Sequence, residues 1–435
     1  MLFRSGQTYQ RGFDLDGRIN TLTLGPSTAT YADLSQIFGY DSLNRLTTAN
    51  LAAGQTQSFT YDANSNRTNG TVNAATTTYT YPSTNHKLSS LSGATTRSFT
   101  YDNAGNVTVS AGITYVHDGR GRMKQAGATT YLVNGLGQRV KKSGGTDTYF
   151  AYDEAGRLIG EYDTTGAPIQ ETIWLADLPI AVVKPNAPSG FTAFYVWADH
   201  LGTPRQITDT ANVSRWEWAH NDPFGNNTPN ENPAGAGAFS YNLRFPGQYF
   251  DTETGKHYNY FRDYDPAIGR YAQSDPIGLR GGLNTFGYVK SNPLARKDPK
   301  GLFVIHPSCS AAQRQQIENA QRDIQKKLDS SCGGCGGPTG CIPCEHWEGI
   351  RRAVDHSEVK CSSDDSNDCG EGVRGGSSIT LFPLGFNPSR CSSLKATLLH
   401  EAMHNAGLGP DRHRFINDVE LSCFGNDAGD RGYPR

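Results

Sequence analysis

The chain has 435 residues, enough for two or three domains with a sizeable core, so neither metal nor disulfide is needed merely to fold it. A formal net charge of -2 gives no reason to expect nucleic acid or an anionic membrane as the main partner. Only 3 methionines and 19% charged residues, set against 49 glycines and 21 tyrosines, suit short strands joined by tight turns rather than a helical bundle.

In chain order, the opening Met-Leu-Phe-Arg-Ser-Gly lacks the apolar core of a secretory signal, so export is expected by another route. No run approaches the roughly 20 apolar residues needed to cross a bilayer, and stable membrane insertion is not expected. The first half is then dominated by a repeat: an aromatic, Asp, two spacers, Gly or Asn, then Arg or Asn. It reads FDLDGRI from Phe13, YDSLNRL from Tyr40, YDANSNR from Tyr61, YDNAGNV from Tyr101, HDGRGRM from His117, YDEAGRL from Tyr152 and YDTTGAP from Tyr162. Between these lie alternating strings such as Thr78-Tyr79-Thr80-Tyr81, close to the period of two of half-buried strands. The Asp-x-x-Gly core is turn chemistry, because Asp caps its own backbone and Gly or Asn takes φ > 0. Each unit is predicted to be a β-hairpin that cannot bury its apolar face alone, and stacking many of them makes a continuous antiparallel sheet.

These units resemble the YD repeats of the Rhs family, which form a hollow β-shell around a toxic C-terminal domain. Two further blocks carry the resemblance. YVWADHLGTPRQITDTANVSRWEWAHNDPFG, residues 195–225, is similar to the family's D-H-L-G-x-P-R block, and FRDYDPAIGRYAQSDPIGLRGGLNTFGYVKSNPLARKDPKGL, residues 261–302, resembles the core that closes the shell and ends in D-P-x-G-L. The resemblance implies three domains: a YD-repeat shell segment over 1–194, an Rhs core over 195–302 and a cysteine-rich effector over 303–435. It also implies that the core cuts its own chain between Leu302 and Phe303, with Asp263, beside Arg262, and Asp275 as the matching carboxylates. Two carboxylates that share a site divide acid and base roles because both cannot ionise easily.

After Leu302 the hairpin rhythm stops. Ser310 opens a helical pattern with Ile317, Ala320, Ile324 and Leu328 on one face, followed by a short helix over 345–354, an acidic loop over 362–371, a strand over 378–382 and two final helices. That order predicts a small α+β domain. All nine cysteines lie here, from Cys309 to Cys423. Their density points to disulfides and an oxidising destination, and the paired Cys332-x-x-Cys335 and Cys341-x-x-Cys344 are expected in disulfides rather than in a second zinc site.

The sharpest motif is His400-Glu401-Ala402-Met403-His404, on a segment with Leu394, Leu398, Leu399 and Met403 as its apolar side and Gly407 as its stop. Residues four apart on a helix share a face, so both imidazoles can hold one zinc ion while Glu401 handles its water. A third protein ligand is required, and Pro410 stands where the longer H-E-x-x-H-x-x-G-x-x-H pattern needs histidine. Downstream, Glu420 and His413 share a side of a predicted helix over 411–423, with Asp418 a further candidate. The tail resembles toxin metallopeptidases whose motif helix is followed by E-x-x-C-F, here Glu420 to Phe424, which favours Glu420.

The expected fold class is therefore a mainly β YD-repeat segment of stacked hairpins followed by a small α+β zincin-like domain. The expected function is a secreted toxin whose zinc peptidase acts on protein in a target cell, delivered by a bacterial secretion apparatus and neutralised in the producer by an immunity protein. The alternative is a non-enzymatic surface or adhesion protein whose cysteine-rich tail is a stapled binding module.

Overall fold

A computed structural model describes residues 2–3, 7–16, 18–25, 35–51, 54–186, 188–276 and 284–301, and beyond these 309, 313, 316–317, 320, 324, 350, 353–354, 358–363, 369–372, 378–386 and 394–408. The chain divides into two compact units, Met1–Pro276 with Asn284–Gly301, and Ile277–Leu283 with Leu302–Arg435.

The first unit is built on a 22-stranded sheet running from Leu2–Phe3 to Ser214–Glu217. Each of its strands pairs antiparallel with its chain neighbours, as in Gln36–Tyr40 with Leu46–Leu51 and Thr56–Tyr61 with Arg67–Val72. The sheet passes through residue 194 within strand Phe191–Ala198, which is paired on both sides.

The turns follow from the predicted chemistry. At Asp41 the backbone N–H donates to the Arg45 carbonyl at 3.0 Å, and Asn44 donates back to the Asp41 carbonyl at 3.0 Å. The carboxylate fills the loop: its Oδ1 accepts the N–H groups of Leu43 and Arg45, both at 3.0 Å, and its Oδ2 accepts Arg45 Nε at 2.6 Å. The fourth residue takes positive φ, 61° at Asn44 and 61° at Ser65, where glycine is absent, and the register shifts by one residue at each such turn. Burial pushes the Asp41 carboxyl up, but the Arg45 backbone and side chain outweigh it and hold it below its ordinary value.

The tyrosine before each Asp has a separate task. Tyr40, Tyr61 and Tyr101 donate their hydroxyls to the carbonyls of Ile19, Leu46 and Leu88, each one residue past the preceding turn's basic residue. Those basic residues lie over the same rings, Arg18 at 5.3 Å from Tyr40 and Arg45 at 4.9 Å from Tyr61. Repeat thus locks to repeat through the tyrosine of one unit and the arginine of the unit before it.

Alternation along the strands turns Phe38, Phe59, Phe99, Tyr115, Tyr131, Phe150 and Phe194 inward. They do not meet each other alone. Residues of the stretch 218–294 enter all four of the clusters that bury them: Phe224 and Leu294 in one, Ile268 and Ala272 in the next, Tyr249 and Tyr258 in the third, and Trp218, Phe245, Tyr264 and Tyr288 in the last. This stretch carries a second, four-stranded antiparallel sheet of Tyr249–Asp251, Lys256–Asn259, Arg262–Asp265 and Arg270–Tyr271.

In the second unit, Gln313, Gln316, Ile317, Ala320 and Ile324 are helical, and Ile317, Ala320 and Ile324 are buried, as the apolar spacing predicts. Leu328 lies outside the described residues. Ile350, Ala353 and Val354 are helical and buried, within the short helix expected over 345–354. Strand Ser378–Leu381 is central, parallel to Glu358–Cys361 and antiparallel to Gly370–Gly372. The last of these corrects the sequence reading, in which 362–371 is loop throughout: glycine carries little strand preference, yet these two glycines lie where a side chain would crowd helix Leu394–Asn405. Cys309 and Cys361 form a disulfide, and Cys369 is also disulfide-bonded. The pairs Cys332-x-x-Cys335 and Cys341-x-x-Cys344 lie outside the described residues.

Candidate functional site

Two constellations carry chemistry, one in each unit. In the second unit the predicted helix is present as Leu394–Asn405, with every residue from Ala396 to Asn405 buried. His400 and His404 stand one turn apart with ring centroids 5.0 Å from each other, and Glu401 is buried beside them. The chain closes the helix at Gly407 and brings the Leu408 carbonyl back to His404 Nδ1 at 2.8 Å. A carbonyl can only accept, so Nδ1 is the donor in this bond. A backbone acceptor on one ring nitrogen is the device by which metal-binding histidines are oriented.

Glu401 is placed by strand Gly370–Gly372. A Cβ on Gly370 would sit 3.1 Å from Glu401 Cγ, and one on Gly372 would sit 2.5 Å from the Glu401 carbonyl oxygen. The glycines therefore allow strand and helix backbones to approach more closely than any side chain permits. Two imidazoles and a neighbouring carboxylate suit zinc chemistry. Among the described residues there is no group of three or more His, Cys, Asp or Glu arranged around one point, and the expected third ligand, Glu420 or His413, lies outside them.

In the first unit the predicted trio is divided. Arg262 and Asp275 come together: Nη1 stands 3.0 Å from Asp275 Oδ2. Asp298, which sequence reasoning quoted only as part of D-P-K-G-L, joins them, with its Oδ2 3.4 Å from Arg262 Nη2 and accepting the Tyr271 hydroxyl at 2.7 Å. The same guanidinium donates from Nε to the Gly301 carbonyl at 2.5 Å and lies 3.7 Å from the Tyr271 ring. Gly301 has φ of +69°, and a Cβ there would meet the Asn259 carbonyl at 2.7 Å, so the residue that precedes Leu302 is drawn tightly onto this cluster. Leu302 and Phe303 lie outside the described residues.

Asp263, expected to share a site with Asp275, points the other way, because adjacent residues of a strand face opposite sides. Its Oδ2 accepts Gln273 Nε2 at 2.5 Å, its backbone N–H donates to Gln273 Oε1 at 2.7 Å, and its Oδ1 stands 3.6 Å from Arg139 Nη2 on the repeat sheet. Burial pushes its carboxyl up to about 6, with Arg139 and Gln273 pulling the other way. The signal for this split was available: Arg-Asp-Tyr-Asp read as a strand, rather than as an Asp-Pro turn, alternates its charges between two faces.

Residues 5–171 match the family model described as Teneurin YD-shell. Over that stretch the chain is similar to a YD shell. The shell is also similar to sequences from named toxins: 29% identity over 314 residues to the double-stranded DNA deaminase toxin A of Burkholderia cenocepacia, covering 69% of this chain and 20% of that protein. A second relative, toxin protein Tse5 of Pseudomonas aeruginosa, is 41% identical over 106 residues, covering 24% of this chain and 8% of its own. Among solved structures, a Photorhabdus luminescens Tc holotoxin pore superposes with a TM-score of 0.53 at 19% identity, over 68% of this chain and 17% of that one, which supports the shell fold alone. The chain thus spans a fifth or less of the length of these proteins, and neither relative is named as a peptidase.

Proposed function

We propose that this chain is a secreted polymorphic toxin in which the YD shell is paired with a zinc-dependent peptidase, residues 303–435, that acts on protein in a target cell. Action as a toxin is supported by the relatives' names, and the same reading has the chain delivered by a secretion apparatus and the producer shielded by a cognate immunity protein. The observation that carries the peptidase reading is the pairing of His400 and His404 one turn apart, ring centroids 5.0 Å from each other, with the His404 ring held through Nδ1 by the Leu408 carbonyl. Zinc, when bound, supplies a Lewis acid and a coordinated water acidic enough to ionise near neutral pH. Glu401, adjacent in sequence to His400 and buried against strand Gly370–Gly372, would be the group that accepts a proton from water and delivers one to the leaving amine. Glu420 or His413 would complete the ligand set. Glu401→Gln, with fold and expression unchanged, should abolish killing by the intact toxin, and undiminished killing would refute peptidase action as its cause.

We further propose that the shell cuts its own chain between Leu302 and Phe303. The reading is supported by Arg262, which pairs with Asp275 and Asp298 and donates from Nε to the Gly301 carbonyl. Arg262 polarises the segment's carbonyls and holds the two carboxylates, one to accept a proton from the attacking water and the other to protonate the leaving amine of Phe303. Asp275→Asn should leave the purified chain intact. Processing at the parent's rate would refute the proposal.

A further inference from the structure

Strand Arg262–Asp265 belongs to the four-stranded sheet, yet one of its faces is held by residues more than a hundred positions earlier in the chain. On that face Asp265 Oδ2 is paired with Arg97 Nη2 at 2.6 Å and Lys256 Nζ at 3.0 Å. Two residues before it, Asp263 is hydrogen-bonded at Oδ2 by Gln273 and ion-paired at Oδ1 with Arg139 Nη2, 3.6 Å away. Arg139 cannot swing away. Its Nη1 donates to both oxygens of Asp251, at 2.7 and 2.6 Å, its backbone N–H donates to the Tyr258 hydroxyl at 2.8 Å, and its guanidinium lies 4.1 Å from the Tyr131 ring and 4.0 Å from that of Tyr258. Lys142 and Glu253, 3.3 Å apart, close the surroundings of Asp251. The opposite face of the same strand presents Arg262 to Asp275, Asp298 and the Gly301 carbonyl.

We infer that Arg139 and Gln273 are positioning residues that hold Asp263 and, through the adjoining Arg262, aim the self-cleavage site, so that a strand of the repeat sheet is needed to complete it. The inference rests on the self-cleavage reading. Asp263 acts here as a latch and does not exchange protons with the reacting bond. Because Arg139 comes from strand Arg139–Ser143, the site is assembled only when that strand has folded against the four-stranded sheet. The chain is therefore not cut before this part of the shell is in place. A displacement of the strand by about 1 Å is enough to cost roughly a hundredfold in such a reaction, since attack requires reacting atoms held in contact and aligned.

The latch is charged only while Asp263 is ionised, and with its carboxyl pushed up to about 6 it weakens as pH falls through that value. The facing charges are Arg139, Asp251 and Lys256, with Lys142 and Glu253 behind them.

The full chain, unfolded in urea and diluted into buffers from acid to alkaline, reports the rate at which the C-terminal fragment appears on a gel. Arg139→Lys keeps a cation beside Asp251 but loses the second arm of the fork, and is expected to slow release roughly ten- to a hundredfold. Asp263→Asn should slow it alike, should lose the wild-type fall in rate near pH 6, and should add nothing further in the double variant. Gln273→Glu, nearly isosteric, gives a second reading if Arg139→Lys folds poorly: it sets a carboxylate against Asp263 and should slow release at neutral pH. If Asp263→Asn stops cleavage as completely as Asp275→Asn while Arg139→Lys or Gln273→Glu cleaves at the wild-type rate, Asp263 is itself the acid or base and the inference falls. If the wild-type chain stays whole under all conditions, it is the self-cleavage reading that fails.

Discussion

Replacing Asp199 by alanine tests whether the Asp turn is a structural keystone where it is buried. Its Oδ1 accepts the N–H groups of Leu201 at 2.9 Å and Thr203 at 3.0 Å, and its Oδ2 accepts Arg205 Nε at 2.9 Å. Burial alone would push this carboxyl up, but Arg205 and the nearby histidines outweigh it and bring it down to about 2. Set against an ordinary value of about 3.9, that difference corresponds to roughly 2.5 kcal/mol of stability at neutral pH. Alanine removes it and also strands two buried N–H groups and the Arg205 guanidinium, so the total loss should reach about 3–5 kcal/mol. Urea unfolding followed by tryptophan fluorescence is a local probe, since Arg205 lies 4.8 Å from the Trp218 ring. The same substitution at the half-buried Asp163, whose turn has the same backbone bonds, should move the midpoint far less. A loss under about 1 kcal/mol for Asp199→Ala would show that the backbone turn forms without its carboxylate and would refute the reasoning.

The turn carboxylates Asp14, Asp41, Asp102, Asp118 and Asp163 are all held below their ordinary values. Their contribution is complete above about pH 4 and is lost as pH falls through their folded values, so acid should unfold the shell cooperatively, as circular dichroism would record. Gly372→Ala should push the strand off the Glu401 backbone and lower killing at least tenfold while leaving the shell's urea midpoint unchanged; wild-type killing would disprove the close-approach argument. Opening the Cys309–Cys361 bond, which spans a sequence separation of 52, should destabilise the second unit by about 4 kcal/mol in the chain-entropy account, seen as faster proteolysis of residues 303–435 in a thiol reductant.

The repeat sheet was legible because its signal is local: Asp41, Asn44 and Arg45 carry all the chemistry their turn requires within five residues. The helix bearing His400, Glu401 and His404 was legible for the same reason, from its apolar spacing and Gly407. Strand Gly370–Gly372 was not, since its reason for existing is the backbone of a helix thirty residues away. Nor was the division of Arg262 from Asp263, or the recruitment of Asp298 and Arg139, because buried ion pairs between distant strands leave no periodicity in the sequence. Tyr40, Tyr61 and Tyr101 were visible as repeat residues, but only the register between neighbouring turns shows where their hydroxyls go.

The antiparallel meander has a mechanical consequence. Every strand of the large sheet is paired with those beside it in the chain, so its hydrogen bonding, unlike the burial of its inward face, does not wait for segments synthesised much later. Such a structure can form progressively as polypeptide leaves the ribosome, and a pull on one end can unzip it hairpin by hairpin at modest force. What resists that unzipping is the set of inward anchors from 218–294, and a translocating machine that extracted this stretch first would leave the remainder free to unravel in order.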